Sequence, residues 1–590
     1  MKRIVIILLA AAFMVALPFL FRRPAPEHRW RETDPVLVIV TPHNEAIRQE
    51  FARAFSDWHA RHFGQPVRVD WRAIGGTTEI MRFLAAEAVG SMRTWWERAG
   101  RRWPAAGADW MLDRRFDPAQ PPPGGGDAAW RLRRELFLAF RTNDTPEAAT
   151  MRIDLLFGGG VYDHDKAERQ GLTVPPWPDE AAVPAGLFRE AGGRELIPVG
   201  SSGEIWRGRA FFGTVLSTFG ICYNPDRLRD LGIATPPRDW ADLTDPRYFG
   251  QVGITDPTKS GSVAKAFEMI VQQACRDAVR GAGYRDDQVD AWEAAIAAAD
   301  LPHGQLPPGV PAAYQQSIER GWVNGLNRIR LIGANARYFT DSAGKVPIDV
   351  GMGAAAAGIA IDFYGRFQAE YTRAPDGAPR MIHVTPVGGS SVSADPISLL
   401  RGAPNRELAV RFIRFCLEEE GQKLWNYRPG EPGGPRRFAL RRLPIRRDFY
   451  PDADPVRDAR ARAHNQYTSD DLTDPAVNPY RLAEAFSYQP RWTGAHFGIQ
   501  RDLVRALCLD SGDELREAWR LIQTQGGPAR QPAAVAWLER LPQTPHPVTW
   551  LSAITAPYAH ADRMEVMRLW TAEMRANYRH AARAVVAVAP

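Results

Sequence analysis

At 590 residues the chain exceeds one ordinary domain, and its 45% apolar and 24% charged residues are those of a globular protein, not of a disordered or fibrous one. Its 74 basic and 68 acidic residues leave a net charge of +6. The signs are interspersed without a long basic run, which speaks against nucleic acid as a partner.

Lys2 and Arg3 precede an uncharged stretch, residues 4–21, and Arg22 and Arg23 follow it. The stretch is long for a signal-peptide core and just long enough to span a bilayer, with no small-x-small cleavage site. We therefore expect export to the periplasm, with residues 1–24 as a signal or as an uncleaved helix anchored in the inner membrane. With no cysteine before Cys222, a lipid anchor is not expected. Cys222, Cys275, Cys416 and Cys508 are widely spaced and read as buried free thiols.

Residues 36–40 read as an apolar strand, 41–44 as a turn, and 45–62 as a helix with Ile47, Phe51, Phe55 and Trp58 on one face. A strand at 66–74, the loop 75–78 and a helix from about Glu79 repeat the pattern. Such a β-loop-α-β-loop-α run signals an open parallel α/β sheet, whose ligands sit beyond the carboxyl ends of the strands. That makes Thr41, Asn44, Gly76, Thr77 and Thr78 candidate ligand-binding residues. Residues 90–150 hold Trp95, Trp96, Trp103, Trp110 and Trp130 and a Pro/Gly stretch at 120–126. Helices at 95–102 and 129–140 with a flexible loop between them are expected. Packing onto its own lobe is the plainer role for this segment, and aromatic stacking on a sugar the sharper one.

Gly158–Gly160 follow a buried strand, so Gly159 and Gly160 either let a ligand approach the backbone closely or make a plain tight turn. Tyr162, Asp163, His164 and Asp165 form a compact cluster of ligand-like side chains, a metal candidate weighed against a solvated loop. Residues 251–265 read as a strand at 252–255, a turn at 256–257, and Ser260–Gly261–Ser262 opening a helix to about Asp277. The N–H groups of a first helical turn lack intrahelical partners and carry partial positive charge, so small residues there suit an anion or hydroxyl, although a serine at a helix start is more often only its N-cap. Asp256, Ser260, Gly261 and Ser262 join the candidates. Asp341 and Ser342 follow a helix expected at 321–338, and Asp362 and Tyr364 end a strand expected at 358–364. Ser262/Lys265 and Ser342/Lys345 fit an S-x-x-K pattern. The partner motifs S-D-N and K-T-G are absent, as are G-x-S-x-G and H-E-x-x-H, so catalysis is not expected. Helices are expected in the tail at 480–486, 499–509, 512–525 and 561–588, the last with an apolar stripe of Met564, Met567, Leu569, Trp570 and Met574.

Several segments resemble bacterial extracellular solute-binding proteins of ABC importers, with the type II periplasmic binding fold, in the branch containing ferric-iron and polyamine binders. They are IDLLFGGG (153–160), FGTVLSTFGICYN (212–224), LTDPRYFGQVGITDPTKSGS (243–262), GAAAAGIAIDFYGR (353–366), SADPISLLRGAPNRELAVRFIRFCL (393–417) and GQKLW (421–425). The resemblance covers roughly 36–425, interrupted by one insertion. It implies a two-lobed α/β fold with lobe 1 at 36–213 (insertion about 90–150), lobe 2 at 224–387 and a return to lobe 1 at 390–448. The crossings would lie at 212–223 and 382–393, with Ser217 and Thr218 on the cleft floor. The helical C-terminal extension, 451–590, is expected to wrap lobe 1, or else to dock on a membrane partner. The implied function is capture of a small polar or anionic solute between the lobes, with a small-molecule solute and an ABC transporter membrane permease as partners, by a periplasmic monomer. No cofactor and no metal are expected, because the family's iron binders use adjacent tyrosines and Tyr364 stands alone. The alternatives are a periplasmic sensor subunit of the same fold and a serine hydrolase using Ser262 and Lys265.

Overall fold

The computed structural model describes residues 33–555, 558 and 562–586. The expected signal or anchor at 1–24 lies outside them. Among the described residues no helix is long and apolar enough to cross a membrane.

Two sheets form the frame. β1 (Val36–Val40), β2 (Arg68–Arg72), β3 (Leu155–Phe157) and β4 (Phe212–Ser217) belong to the first. β5 (Phe219–Tyr223), β6 (Val252–Thr255), β7 (Ala336–Thr340), β8 (Ala357–Ile361) and β9 (Ile382–Val384) make the second. The chain then returns to the first with β10 (Ser393–Leu400) and β11 (Leu443–Pro444). The orders are β11-β4-β10-β3-β1-β2, with Thr173–Val174 also paired to β10, and β7-β6-β8-β5-β9. β1 is parallel to β2 and β3, as the βαβ pattern predicts. β10 enters antiparallel between β3 and β4, and β8 is antiparallel to β5, so both sheets are mixed and not the open parallel sheet expected. The reason is connectivity: a chain that leaves one lobe and comes back re-enters its sheet from the other end.

The crossings are at Thr218 and over 385–392. Thr218 Oγ1 lies 2.8 Å from Thr385 Oγ1, and Ser390 Oγ accepts from Phe219 N at 2.9 Å, which ties the two crossings together. This is the two-lobed type II binding fold that the resemblance implies.

Helices follow the strands. α1 (Glu45–Phe63) buries Ile47, Phe51, Phe55 and Trp58, is capped by Asn44, and stops at Gly64 in the left-handed region. α2 (Thr77–Arg98), α3 (Ala128–Thr142) and α4 (Val161–Gln170) also belong to the first lobe, and the helices Arg406–Leu417 and Glu419–Asn426 pack against α1 after the return. Trp95 and Trp96 belong to α2 itself, not to a separate helix. The 90–150 segment packs on its own lobe: Trp96, Met111, Leu136 and Phe140 share one core with Leu84, Leu156 and Leu400. In the second lobe α5 (Gly261–Gly281) follows β6 and lies along α6 (Ala312–Ala334), while α7 (Asp362–Tyr371) begins directly after β8. The expected 321–338 helix thus starts earlier and yields to β7, and Asp362–Tyr364 open a helix instead of ending a strand. All four cysteines are buried and free.

The C-terminal extension does not wrap lobe 1 alone. Its first part does lie there: Tyr427 Oη sits 2.6 Å from His464 Nδ1, and Tyr480 Oη donates to Ile445 O at 2.5 Å. At Tyr488 the chain passes to lobe 2, where Gln272 Nε2 donates to Gln489 O (2.7 Å) and Thr493 Oγ1 (2.8 Å). α8 (Phe497–Val504), a π-helical turn Arg505–Leu509 and α9 (Gly512–Thr524) then lie on α5 and α6, and α10 (Arg563–Ala584) packs over them from outside. Trp492, Trp550 and Trp570 are fully buried there. The stripe of α10 runs Val566, Trp570, Met574, Tyr578, with Met564 exposed. Four-residue steps keep that row on one face, and Met567, three residues before Trp570, lies half-buried on the same face, whereas Met564 in the first turn does not join it.

Candidate functional site

A cavity of about 660 Å³ lies between the lobes. Its walls are the segments that leave the carboxyl ends of the strands, as the fold requires: His43 after β1, Gly75–Thr77 after β2, Gly159–Asp163 after β3, Lys259–Ser262 after β6, Asp341–Ser342 after β7 and Tyr364 after β8. Three helices begin there. Gly76 and Gly160 precede α2 and α4 with no side-chain cap, while Ser260 Oγ accepts from Val263 N at the start of α5. The bare first turns leave N–H donors for a ligand.

Glycine is required at this wall for two separate reasons. Gly158 and Gly159 have φ of 89° and 101°, which disfavours side chains. A Cβ on Gly158 would lie 2.5 Å from the His43 ring, and one on Gly76 would lie 2.9 Å from Lys259 O of the opposite lobe. The α2 start is therefore pressed against the turn that opens α5.

Ten of the sequence-predicted residues line the cavity: Gly76, Thr77, Gly159, Gly160, Ser260, Gly261, Ser262, Asp341, Ser342 and Tyr364. Seven do not. Thr41 is buried and donates to Phe157 O (2.6 Å), and Asn44 caps α1. Thr78 accepts from Arg501 (2.9 Å), and Asp256 accepts from Arg505 (2.8 Å). Ser217 accepts from Arg442 (2.6 Å), and Thr218 bonds Thr385, so the crossing's hydroxyls are consumed by the crossing itself. Asp362 is buried beneath α7, and burial pushes its carboxyl up to about 6.

The Tyr162–Asp165 cluster does not converge, because it forms the first turn of α4 and its side chains diverge. Tyr162 packs on Phe497, with ring centres 4.8 Å apart. His164 points into lobe 1, with Nδ1 2.7 Å from Ser398 Oγ and Nε2 3.1 Å from Gly158 O, and burial lowers its pKa to about 4. Asp165 pairs with Arg169. Among the described residues no group of three or more His, Cys, Asp or Glu side chains is placed to hold a metal. Tyr162 and Asp165 line the cavity, and so does Asp163, the most buried of the three. It is 7% exposed and has no hydrogen-bond donor among the described residues. Burial pushes its carboxyl up, opposed by the charges of Arg501 and Lys166.

Residues that sequence reasoning missed or misread complete the lining. Lys265 Nζ lies 2.9 Å from both Glu204, in a lobe 1 hairpin, and Glu268, one turn further along α5. It also stands 3.9 Å over the Tyr488 ring. Burial works against its charge, but Glu204, Glu268 and Tyr488 outweigh it and hold the ammonium well above its usual pKa. Lys265 thus keeps its proton and is no base for Ser262, whose hydroxyl bonds Ser260 Oγ instead (3.1 Å). On the floor, the wholly buried Arg442 donates to Asp395 Oδ2 at 2.6 Å, with His43 Nε2 3.7 Å from the same oxygen. Burial alone would raise the Asp395 carboxyl, but Arg442 and His43 bring it below its usual value. The i, i+3 spacing of Lys265 and Glu268 was a readable ion-pair signal; nothing local pointed to Glu204, Asp395 or Arg442.

Residues 208–300 match the model of a family described as bacterial extracellular solute-binding protein. That stretch holds the first crossing and the Ser260–Ser262 helix start. A protein of Haemophilus influenzae described as uncharacterized is 25% identical over 273 residues, 46% of this chain and 60% of its own length. The match therefore spans less than two thirds of that relative. Among solved structures, the periplasmic binding protein AfuA of Actinobacillus pleuropneumoniae, with fructose-6-phosphate bound, is 17% identical over 66% of this chain and 81% of its own, with a TM-score of 0.39. Iron-bound HitA of Pseudomonas aeruginosa is 14% identical over 80% of this chain and 100% of its own, with a TM-score of 0.39. The spermidine/putrescine transporter's binding protein PotD of Streptococcus pneumoniae is 14% identical over 80% and 100%, with a TM-score of 0.40.

Proposed function

We propose that the protein is a periplasmic, monomeric solute-binding component of an ABC importer, which captures a small polar solute between its lobes and presents it to the membrane permease. The observation that carries this reading is the convergence of uncapped helix starts at Gly76 and Gly160 with the α5 start at Ser260–Ser262 on one cavity between the lobes. A ligand that touches starts from both lobes favours the closed form over the open one. The family match over 208–300 supports the binding class.

The lining narrows the chemistry. Lys265 is engaged by Glu204 and Glu268, Arg169 by Asp165, and Arg442 by Asp395. What is left for a ligand is uncharged N–H donors, the Asp163 and Asp341 carboxyls and the Lys259 ammonium, none of them in an ion pair among the described residues. Hydroxyl groups suit this mixture, accepting from the helix starts and Lys259 and donating to Asp163. An anionic group on the same solute would sit at the helix starts.

Native mass spectrometry of material carried through purification, followed by a thermal-shift screen of polyols and their phosphates, should identify a stabilising ligand. Gly261→Val places carbon in the cavity, where a Cβ meets only Asp163 Oδ2 at 3.6 Å. Binding should weaken by at least about tenfold, or about 1.4 kcal/mol. Unchanged affinity in calorimetry with an intact fold would remove this site.

A further inference from the structure

A second pocket, of about 630 Å³, opens on lobe 1. It is separate from the cleft. β10 starts at the cavity, where Asp395 lines it, and ends beside the short strand Thr173–Val174, with Arg401 just beyond. At about 3.3 Å per residue the step from Asp395 to Arg401 is roughly 20 Å.

The pocket gathers Arg141, Arg209, Arg401 and Arg406 with Thr173 and Trp177. Arg401 is only 6% exposed. Its Nε donates to Gly171 O (2.6 Å) and its Nη1 to Arg141 O (2.8 Å) and Asn143 O (3.2 Å). Arg141 is held the same way, by Met111 O (2.8 Å) and Arg169 O (3.1 Å). Carbonyls fix the two guanidinium groups but do not neutralise them. No carboxylate lies within ion-pair distance of Arg141, Arg209 or Arg401 among the described residues. The two acids of the pocket are otherwise engaged: Asp144 pairs with Arg406 (3.3 Å), and Glu168 accepts from Ala210 N (3.4 Å). Burial pulls both Arg141 and Arg401 down to about 10, and Arg401 adds to the effect on Arg141. Thr173 Oγ1, on a residue 4% exposed, has no hydrogen-bond partner. Buried charges are ordinarily paired and buried hydroxyls ordinarily bonded, so these donors together suit an anion that accepts several hydrogen bonds.

We propose that this arginine pocket is a second binding site, outside the cleft, for an oxyanion of the phosphate class. A tetrahedral oxyanion offers acceptors in several directions to forked guanidinium donors and to the Thr173 hydroxyl, a match that a planar carboxylate makes less completely. The group is supplied either by free phosphate and its monoesters or by the headgroup of an anionic lipid. The site does not depend on the identity of the cleft solute.

Calorimetry of the full chain with inorganic phosphate, against sodium chloride of equal ionic strength, is the direct test. Flotation with phosphatidylglycerol vesicles forms the second arm. Arg209→Ala removes an exposed, unpaired cation, and Thr173→Val is nearly isosteric, so both leave the fold intact. Each should weaken phosphate binding by about tenfold without changing the melting temperature in phosphate-free buffer. Gly261→Val, in the cleft, should leave it unchanged. Saturable phosphate binding sensitive to both pocket variants, without flotation, assigns a soluble ligand. Flotation lost in the pocket variants assigns a lipid headgroup. Absence of both, or binding that responds to Gly261→Val and ignores the pocket variants, overturns the proposal.

Discussion

The insertion at 90–150 and the extension after 450 both cover apolar faces of the two-sheet frame, yet only the extension reaches the cavity between the lobes. Trp96, Met111, Leu136 and Phe140 pack on Leu84, Leu156 and Leu400 and stay within lobe 1. No residue of 90–150 lines the cavity. The extension buries Trp492, Trp550 and Trp570 over lobe 2, but it also supplies Tyr488, Pro490, Gly494 and Phe497 to the cavity wall. Arg501 donates to Thr78 Oγ1 on the lobe 1 side and to the Pro257 and Thr258 carbonyls on the lobe 2 side. An addition anchored on one lobe is scaffold. One that spans both ties the lobes to each other, so any opening of the cleft would have to break its contacts.

Removing residues 487–590 breaks the comparison most severely. It uncovers α5 and α6 and leaves Glu268 without its donors from Tyr488 and Thr493, both at 2.6 Å. We expect no soluble, folded product on size-exclusion chromatography; a shortened chain that folds and binds solute would make the extension a separable module. Trp96→Ala comes next. Loss of a fully buried indole costs about 3–5 kcal/mol, read as a shift in denaturant midpoint. Solute affinity measured on the surviving folded protein should not change, and an altered affinity would extend the site into the insertion.

This division was only partly legible in the sequence. The apolar spacing of α1, the glycine-rich helix starts after β2 and β3, and the Ser260–Ser262 start after β6 were readable because each depends on neighbours a few residues apart. Asp395 and Arg442 meet across strands far apart in the chain, and their pairing is invisible to local pattern. Asp362 was misplaced because a helix begins where the strand was expected to continue, which turns its side chain inward. Ser262/Lys265 looked like a nucleophile pair because the pattern carries no information about Glu204. The direction of the tail was illegible for the same reason: its amphipathic stripe shows that a face must be buried, not against which lobe.

Acid separates the two additions by a smaller margin. His496, in the extension, is buried with Nε2 2.6 Å from Trp550 O, and burial lowers its pKa to about 4. An unfolded histidine titrates near ~6.5. The unfolded chain therefore binds more protons than the folded one between these values. The stabilisation is complete above about pH 6.5 and lost as pH falls toward 4, by up to about 3 kcal/mol. The insertion contains no histidine. His164 in lobe 1 carries the same sign, so the contrast is drawn between wild type and His496→Gln. Hydrogen exchange should show protection of 490–555 falling with acid in wild type and a flatter profile in the variant. Parallel profiles in the two proteins would mean that His496 does not set the extension's acid sensitivity.

The smallest expected effect sharpens the comparison most, because it separates closure from folding. Arg501 Nε donates to Pro257 O at 2.7 Å, and Nη2 donates to Thr78 Oγ1 at 2.9 Å and to Thr258 O at 3.1 Å. Its charge is also the first that offsets the cost of burying Asp163. Arg501→Met keeps the length of the side chain and its packing near Phe497 but removes all three bonds. The frame of each lobe is untouched, so the change in unfolding free energy should stay within about 1 kcal/mol. The closed state, however, loses a bridge between the lobes. If the closed fraction falls tenfold, apparent solute affinity falls about tenfold, since the apparent Kd scales inversely with the competent fraction. Small-angle scattering of the unliganded variant should report a larger radius of gyration than wild type, and saturating solute should restore it. Equal radii and equal affinities would mean that the extension only walls the cavity and that Lys265 with Glu204 alone holds the lobes together.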